Sequence, residues 1–288
     1  MTKDALKTIP SLPNGALGRL RAQQDFLSPS LKRVTDYILL NAESVLYQTI
    51  TELADSVGVG EATVTRLCRK LGFPGFHAFK ISLTSDLANV TSDTIPSGNS
   101  IADLAAQAAW QTTFAIEETR RIIDPDVVER VAKAIAAAPR IELTGQGNSS
   151  FAAQFFAHKL MRLGLVAVAH PDPHLAAVSA ATLPRNGVLI AITRSGSTVD
   201  TVQNIKIANQ HDVFTVAITN RASSPITHFA REVLFTASPE GPLAGGAISS
   251  LTSQVLVLEI LYLALLGLVD SAPDFIRKTA ESVVEKKF

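Results

Sequence analysis

Two short stretches carry side chains suited to holding an anion. Gly145-Gln-Gly147-Asn-Ser149-Ser150 and Thr193-Arg-Ser195-Gly196-Ser197-Thr198 each follow an apolar run and each open a helical pattern. Glycine lets the backbone approach a ligand closely, hydroxyls donate hydrogen bonds, and amides at a helix N-terminus meet negative charge with a favourable dipole. A phosphate fits those requirements. One such cluster alone reads as a capping turn, whereas two at the ends of neighbouring strands read as one site. The candidate phosphate contacts are Gly147, Ser149, Ser150, Thr193, Arg194, Ser195, Gly196, Ser197 and Thr198. The first cluster lacks the third glycine of a dinucleotide fingerprint, and no Gly-Lys-Ser/Thr run occurs, so nucleotide cradles are the weaker readings.

Residues 50–71 suit a different chemistry. Ile50 to Val57 and Glu61 to Leu71 are two short amphipathic helices joined by Gly58-Val-Gly60, the connection a helix-turn-helix needs. Gly58 can end the first helix in the left-handed conformation. Val64, Leu67 and Leu71 turn inward, which leaves Ala62, Thr63, Thr65, Arg66, Arg69 and Lys70 on the other faces. Small residues near a helix start can reach base edges and thymine methyls, and arginine can bind guanine edges or phosphates. With Thr51 on the first helix, these are the candidate DNA contacts. The plainer reading is a helical hairpin whose cations form a solvated face.

Other groups rank lower. His170-Pro-Asp-Pro-His174 could hold a metal, but its prolines oppose a regular helix that would align the two histidines, so a solvated loop is the expected outcome. Glu240 follows the fifth strand and could face the crevice as a base or as an acceptor for a sugar hydroxyl; an exposed loop carboxylate is the plainer reading. Glu259, inside a long apolar helix, is expected to be paired or at an interface. Cys68 is expected to pack as a small apolar group. No catalytic residue, metal or cofactor is assigned.

The elements that position these residues follow from the spacing of apolar positions. Leu31, Val34 and Ile38, then Ile50, Leu53, Ala54 and Val57, then Val64, Leu67, Cys68 and Leu71 recur at helical intervals, so the first region is all-helical. Ser28-Pro29 supplies a cap followed by a helix-compatible proline. Thr91 to Ser100 is polar, with Pro96 and Gly98, and reads as a linker. Ile101 to Ile123 and Asp126 to Ala138 read as helices. Five apolar runs then alternate with helix-length segments: Ile141 to Leu143, Val166 to Ala169, Val188 to Ile192, Val213 to Ile218 and Val233 to Phe235. Strands apolar on both faces predict a three-layer α/β domain around a parallel sheet. In the flavodoxin-like order 2-1-3-4-5 the first and third strands are neighbours, and their following helices diverge to leave a crevice at the switch point.

Composition excludes several classes. The 288 residues hold 26 Lys+Arg against 26 Asp+Glu, so no global basic field would steer the chain to nucleic acid, and any such activity is local. Residues 1–95 carry ten cations and nine carboxylates, yet Arg66, Arg69, Lys70 and Lys80 fall in a stretch without a carboxylate. A single cysteine removes disulfide scaffolds and multi-cysteine metal sites, and fits a cytoplasmic location. Residues 1–10 lack the apolar core of a signal peptide. The uncharged Gly241 to Leu258 and the apolar run after it are long enough to span a membrane, but Ser249, Ser250, Thr252, Ser253, Gln254 and Glu259 interrupt them, so a buried helix and no membrane partner are expected.

The run from Thr49 to Phe76, with Phe79-Lys80 after it, resembles the N-terminal domain of RpiR-type bacterial transcriptional regulators. Gly145-x-Gly-x-Ser149 and Thr193-Arg-Ser-Gly-Ser-Thr-Val-Asp200-Thr201 resemble the two phosphate-loop motifs of the sugar isomerase (SIS) domain carried by that family. The resemblance covers roughly residues 20–270 and implies a helix-turn-helix domain over 16–92, a linker and connecting helix over 93–125, a SIS domain over 126–270 and a C-terminal helix over 271–288. It implies a homodimeric or homotetrameric repressor of a carbohydrate operon, which binds double-stranded operator DNA and senses a phosphorylated sugar or sugar acid. Ser149, Ser195 and Thr198 would contact the phosphate, with Thr193 where the pattern usually has serine. The connecting helix, with Trp110 and Phe114, could transmit the effector's signal, and the helix around Leu251 to Leu266 could add to an interface. The competing readings are a sugar-phosphate isomerase or deaminase with an accessory helical domain, and a carbohydrate-binding protein whose helical domain only assembles.

Overall fold

The computed structural model describes residues 15–24, 27–88, 100–238 and 248–284, and it divides into two compact units. The linker expected at 91–100 lies outside the described residues except for Ser100, and so does Glu240.

Among the described residues the first unit holds six helices: α1 (Ala16–Gln23), α2 (Pro29–Leu40), α3 (Ala42–Tyr47), α4 (Ile50–Val57), α5 (Glu61–Lys70) and α6 (Phe76–Ala88). Ser28 precedes Pro29 at the start of α2, where the ring's missing N–H costs nothing. The helices share one core in which Leu20, Val34, Ile38, Leu53, Val64, Leu67, Leu71, Phe79 and Leu83 are buried. Arg19 closes one edge of it, donating to the Leu71 carbonyl at 3.0 Å and lying over the Phe73 ring at 4.8 Å.

The second unit runs α7 (Ile101–Ile122), α8 (Pro125–Ala137), β1 (Ile141–Gly145), α9 (Asn148–Met161), β2 (Ala167–Ala169), α10 (Pro173–Ala181), β3 (Val188–Ile192), α11 (Val199–Asn209), β4 (Phe214–Thr219), a 3-10 turn (Pro225–His228), β5 (Glu232–Phe235), α12 (Ile248–Leu266) and α13 (Ala272–Glu281). The sheet is parallel in the expected order β2-β1-β3-β4-β5. Strand alternation sorts the two faces. Val188, Ile190 and Ile192 join the core beneath α8, α9 and α12, while Leu189 and Ala191 join the core beneath α10 and α11.

Two expectations change. β1 is not apolar on both faces: Glu142, its second residue, is buried, and Arg140 Nε donates to its carboxylate at 2.8 Å and so compensates a charge that could not be buried alone. The His170–His174 segment is not wholly a loop either. Asp172 accepts the Leu175 amide at 2.8 Å and Pro173 begins α10, because proline at the first helical position starts a helix rather than breaking it. Among the described residues no group of His, Cys, Asp and Glu forms a metal cluster.

The apolar helix α12 is the only described helix long and apolar enough to cross a membrane. It packs on α7, α8 and α9, burying Val257, Leu258, Leu261 and Leu265, and Glu259 lies 3.5 Å from Lys159. α7 starts with a capping box between Ser100 and Asp103. Its first ten residues are all exposed, and Trp110 stacks on Phe114 at 5.4 Å.

Candidate functional site

Two separate constructions carry the candidate residues. In the first unit, Thr49 and Glu52 close a capping box that fixes the start of α4: Thr49 Oγ1 accepts the Glu52 amide at 3.0 Å, and Glu52 Oε2 accepts the Thr49 amide at 2.6 Å. Gly58 ends α4 at φ 70°, ψ 47°, and the Val59 amide returns to the Ala54 carbonyl at 2.9 Å. The turn thereby aims α5. Val64, Leu67, Cys68 and Leu71 are buried, while Ala62, Arg66, Arg69 and Lys70 are exposed and Thr63 and Thr65 half-buried. Offsets of three and four residues place Ala62, Thr65, Arg66 and Arg69 on one stripe of the helix. Among the described residues no hydrogen bond or ion pair engages the Arg66 or Arg69 guanidinium.

Thr51 and Lys80 fall elsewhere. Thr51 is 4% exposed and donates its hydroxyl to Glu61 Oε1 at 2.5 Å, pinning the start of α5 to α4 instead of facing outward. Lys80 Nζ donates to the Gln48 carbonyl at 2.9 Å and lies over the Phe76 ring, so the basic patch narrows to Arg66, Arg69 and Lys70. Burial pushes the Cys68 thiol up to about 12, which fits the apolar role expected of it.

In the second unit Gly145, the last residue of β1, pairs with Ile192, the last of β3, so the two polar turns begin side by side. α9 leaves over one face of the sheet and α11 over the other. Gly145 allows the approach: a Cβ there would stand 2.8 Å from the Ser149 carbonyl oxygen and 3.0 Å from that of Ile192. Gly147 holds φ 57°, ψ −130°, a conformation that other residues rarely reach. Gly196, at φ 64°, leaves no room for a methyl against Ser224, and its carbonyl accepts the Ile226 amide at 2.9 Å. Arg194 is half-buried, and its carbonyl accepts the Asn220 amide at 3.1 Å.

The donors are arranged unevenly. At α9 the amides of Ser149 and Ser150 already bond to the Gln146 and Gly147 carbonyls, and Ser150 Oγ donates to Gly147, whereas the Ser149 hydroxyl proton meets no acceptor among the described residues. At α11 the amides of Val199, Asp200 and Thr201 meet no acceptor outside the helix among the described residues. Thr193 and Thr198 share a hydroxyl bond at 3.0 Å across that turn, and the Ser197 amide donates to Ser195 Oγ at 3.2 Å. Asn204 donates to Thr144 at 2.8 Å, tying α11 to β1 behind the crevice.

Sequence reasoning passed over Asn204, Ser224 and Gln254. Gln254, on α12, donates from Nε2 to Ser149 Oγ at 3.0 Å, and Ser253 beside it donates to the Ala237 carbonyl at 2.7 Å. The available signal was the polar cluster interrupting an apolar helix.

Comparison with known proteins follows the same division. A family model described as a helix-turn-helix domain, rpiR family, matches residues 14–90, and one described as a SIS domain matches residues 134–264. An uncharacterized HTH-type transcriptional regulator of Haemophilus influenzae is 32% identical over 280 residues, 94% of this chain and 97% of that protein. The Vibrio vulnificus NanR protein, solved in complex with ManNAc-6P, superposes at a TM-score of 0.85 with 33% identity, covering 95% of this chain and 100% of that one. The sugar isomerase domain of an RpiR transcription factor from Sphaerobacter thermophilus covers 62% of this chain at a TM-score of 0.57 and, at 23% identity, speaks for the fold alone.

Proposed function

Because the chain belongs to the RpiR family of helix-turn-helix transcriptional regulators and carries a SIS domain, we propose that it is a repressor of a carbohydrate operon whose hold on operator DNA responds to a phosphorylated sugar. The observation that carries this reading is one chain with two matched chemistries. Arg66 and Arg69 stand uncommitted on the exposed face of α5, and the turns after β1 and β3, which begin side by side, carry the hydroxyls of Ser149, Thr193, Ser195, Ser197 and Thr198.

Ala62, Thr63, Thr65 and Arg66 enter the major groove, and Arg69 and Lys70 meet phosphates. A ten-residue helix is about 15 Å long and reads one half-site, so the active form is a symmetric homodimer or a tetramer built from it. In the crevice, the open first turn of α11 and the hydroxyls of both turns receive the phosphate, with Gly147 and Gly196 admitting it close to the backbone. Glu240 is retained as the candidate sugar contact. NanR, similar over nearly the full length, was solved with ManNAc-6P, so an N-acylhexosamine 6-phosphate is the first effector to test. The crevice acts as a sensor and not a catalyst, in line with the names of the full-length relatives.

The test is selection of genomic DNA fragments by the purified chain, alone and with a panel of sugar phosphates including ManNAc-6P. The expected result is an enriched palindromic site, lost on addition of one compound, with no turnover of that compound. No sequence enrichment under any condition overturns the regulator reading. Turnover in place of a change in occupancy would favour an isomerase or deaminase.

A further inference from the structure

Gln254 on α12 reaches the crevice through its bond to Ser149, and the direction of that bond matters. Ser149 and Gln254 are 7% and 2% exposed, so neither side chain is free to seek water as an alternative partner. A serine hydroxyl has one proton and two lone pairs. Since Gln254 Nε2 donates to Ser149 Oγ at 3.0 Å, one lone pair is occupied and the hydroxyl proton must point away from Gln254. No acceptor among the described residues takes that proton. Ser195, across the crevice, is set in the same way, its oxygen accepting the Ser197 amide and its own proton left over.

Gln254 itself is kept at a cost. Its Oε1 is buried without a partner among the described residues, a loss of stability that a leucine of similar bulk would avoid. Only the donor half of the amide is used. A glutamate would accept the Ser149 proton and add negative charge. An apolar side chain would leave the hydroxyl free to swing onto a carbonyl of the turn before α9, as the neighbouring Ser150 hydroxyl does onto Gly147. An amide avoids both outcomes.

We infer that Gln254 is a positioning residue for anion binding: by donating to Ser149 Oγ from beneath, it fixes that hydroxyl as a hydrogen-bond donor aimed at the bound phosphate. The inference rests on the reading of the crevice as a phosphate site, and it assigns Gln254 no contact with the ligand.

The test is a double-mutant cycle on the full chain, with inorganic phosphate and ManNAc-6P as probes and dissociation constants measured by calorimetry. Ser149→Ala is expected to weaken binding on the order of 10- to 100-fold, the loss of one hydrogen bond to a charged group. Gln254→Met is expected to weaken it about 3- to 10-fold by releasing the hydroxyl, and Gln254→Glu more than Gln254→Met. The deciding measurement is Gln254→Met placed in the Ser149→Ala chain, where it should change affinity by less than about twofold. A purely structural role for Gln254 would instead give the same loss with or without the Ser149 hydroxyl. Additive losses, or an unchanged affinity in Gln254→Met alone, overturn the inference while the crevice stands. A parent chain that binds neither probe overturns the crevice reading and this inference with it. Melting curves accompany each variant, and Gln254→Leu repeats the cycle in a second apolar shape if the methionine variant does not fold.

Discussion

On α5 the groups that would meet a partner are cations standing on an exposed face, whereas in the crevice they are neutral hydroxyls held by buried contacts. Arg66 and Arg69 are exposed, and their backbone is fixed by residues on the opposite face, Val64, Leu67 and Leu71. Ser149, Thr193 and Ser195 are held by groups at their own oxygens: Gln254, Thr198 and the Ser197 amide. DNA presents a strong, regular field that a mobile guanidinium can meet, so affinity there survives loose geometry. A small anion in a crevice has few contacts, and each must already be aimed. The reading face is therefore separable from its fold, and the crevice is not.

The sharpest break of that comparison uses one glycine from each unit. Gly58 and Gly196 both sit at positive φ, 70° and 64°, but a Cβ at Gly58 would meet nothing within 4 Å and one at Gly196 would run into Ser224. Gly196→Ala is expected to cost about 2–5 kcal/mol, left-handed strain plus overpacking, and to abolish effector binding. Gly58→Ala should cost about 1–2 kcal/mol, the strain alone, and leave the effector site intact. Chemical denaturation of both variants, with effector titrations, decides it. Equal costs would mean that the crevice turn can relax, and the contrast would fail.

A smaller effect separates function from stability. Arg66→Ala is expected to cost on the order of 1–3 kcal/mol in operator binding with relaxed base preference, and to move stability by no more than about 0.5 kcal/mol because no contact in the described structure is lost. Arg69→Ala should weaken binding to all sequences alike and lower its salt dependence. In the crevice, Ser195→Ala should weaken effector binding by about 1.5–3 kcal/mol while effector-free DNA affinity holds. Binding curves at two salt concentrations, set beside melting curves, read all three. A large fall in melting temperature for Arg66→Ala would show that the exposed face contributes to the fold after all.

The same division explains what the sequence made legible. Helical spacing separated the outward from the inward residues of α5 because the helix obeys its own period, and Gly58-Val-Gly60 marked the turn. The parallel sheet followed from five apolar runs and the helices between them, and its order is the flavodoxin-like one expected. Thr51 was misplaced because a threonine on a first helix looks alike whether it meets a phosphate or, as the structure shows, Glu61. Lys80 was counted as free charge because the carbonyl of Gln48, distant in sequence, leaves no mark beside it. Gln254 was visible only as a polar interruption, since its partner Ser149 lies 105 positions away on another helix. Long-range hydrogen bonds to buried oxygens have no periodicity, so the supports of the crevice were hidden while its glycines and hydroxyls were plain.

The smallest effect probes the inner side of the reading helix. Cys68 lies between Leu67 and Arg69, 1% exposed, and burial raises its thiol from the ordinary 9.0 to about 12. At pH 8 such a thiol holds on the order of a thousandfold less thiolate than a free one, and alkylation needs the thiolate. Iodoacetamide should therefore label Cys68 only through unfolding of the first unit, leave operator affinity unchanged over the time that labels a free thiol, and react freely in urea. The linked effect on stability has one sign. The folded state holds the proton more tightly, so the benefit is complete below pH 9 and is lost as pH rises from there towards 12. Fast native labelling with unchanged melting would mean that α5 swings away from its core without global unfolding. The reading face would then be as adjustable in its backbone as in its side chains, and its contrast with the crevice would widen.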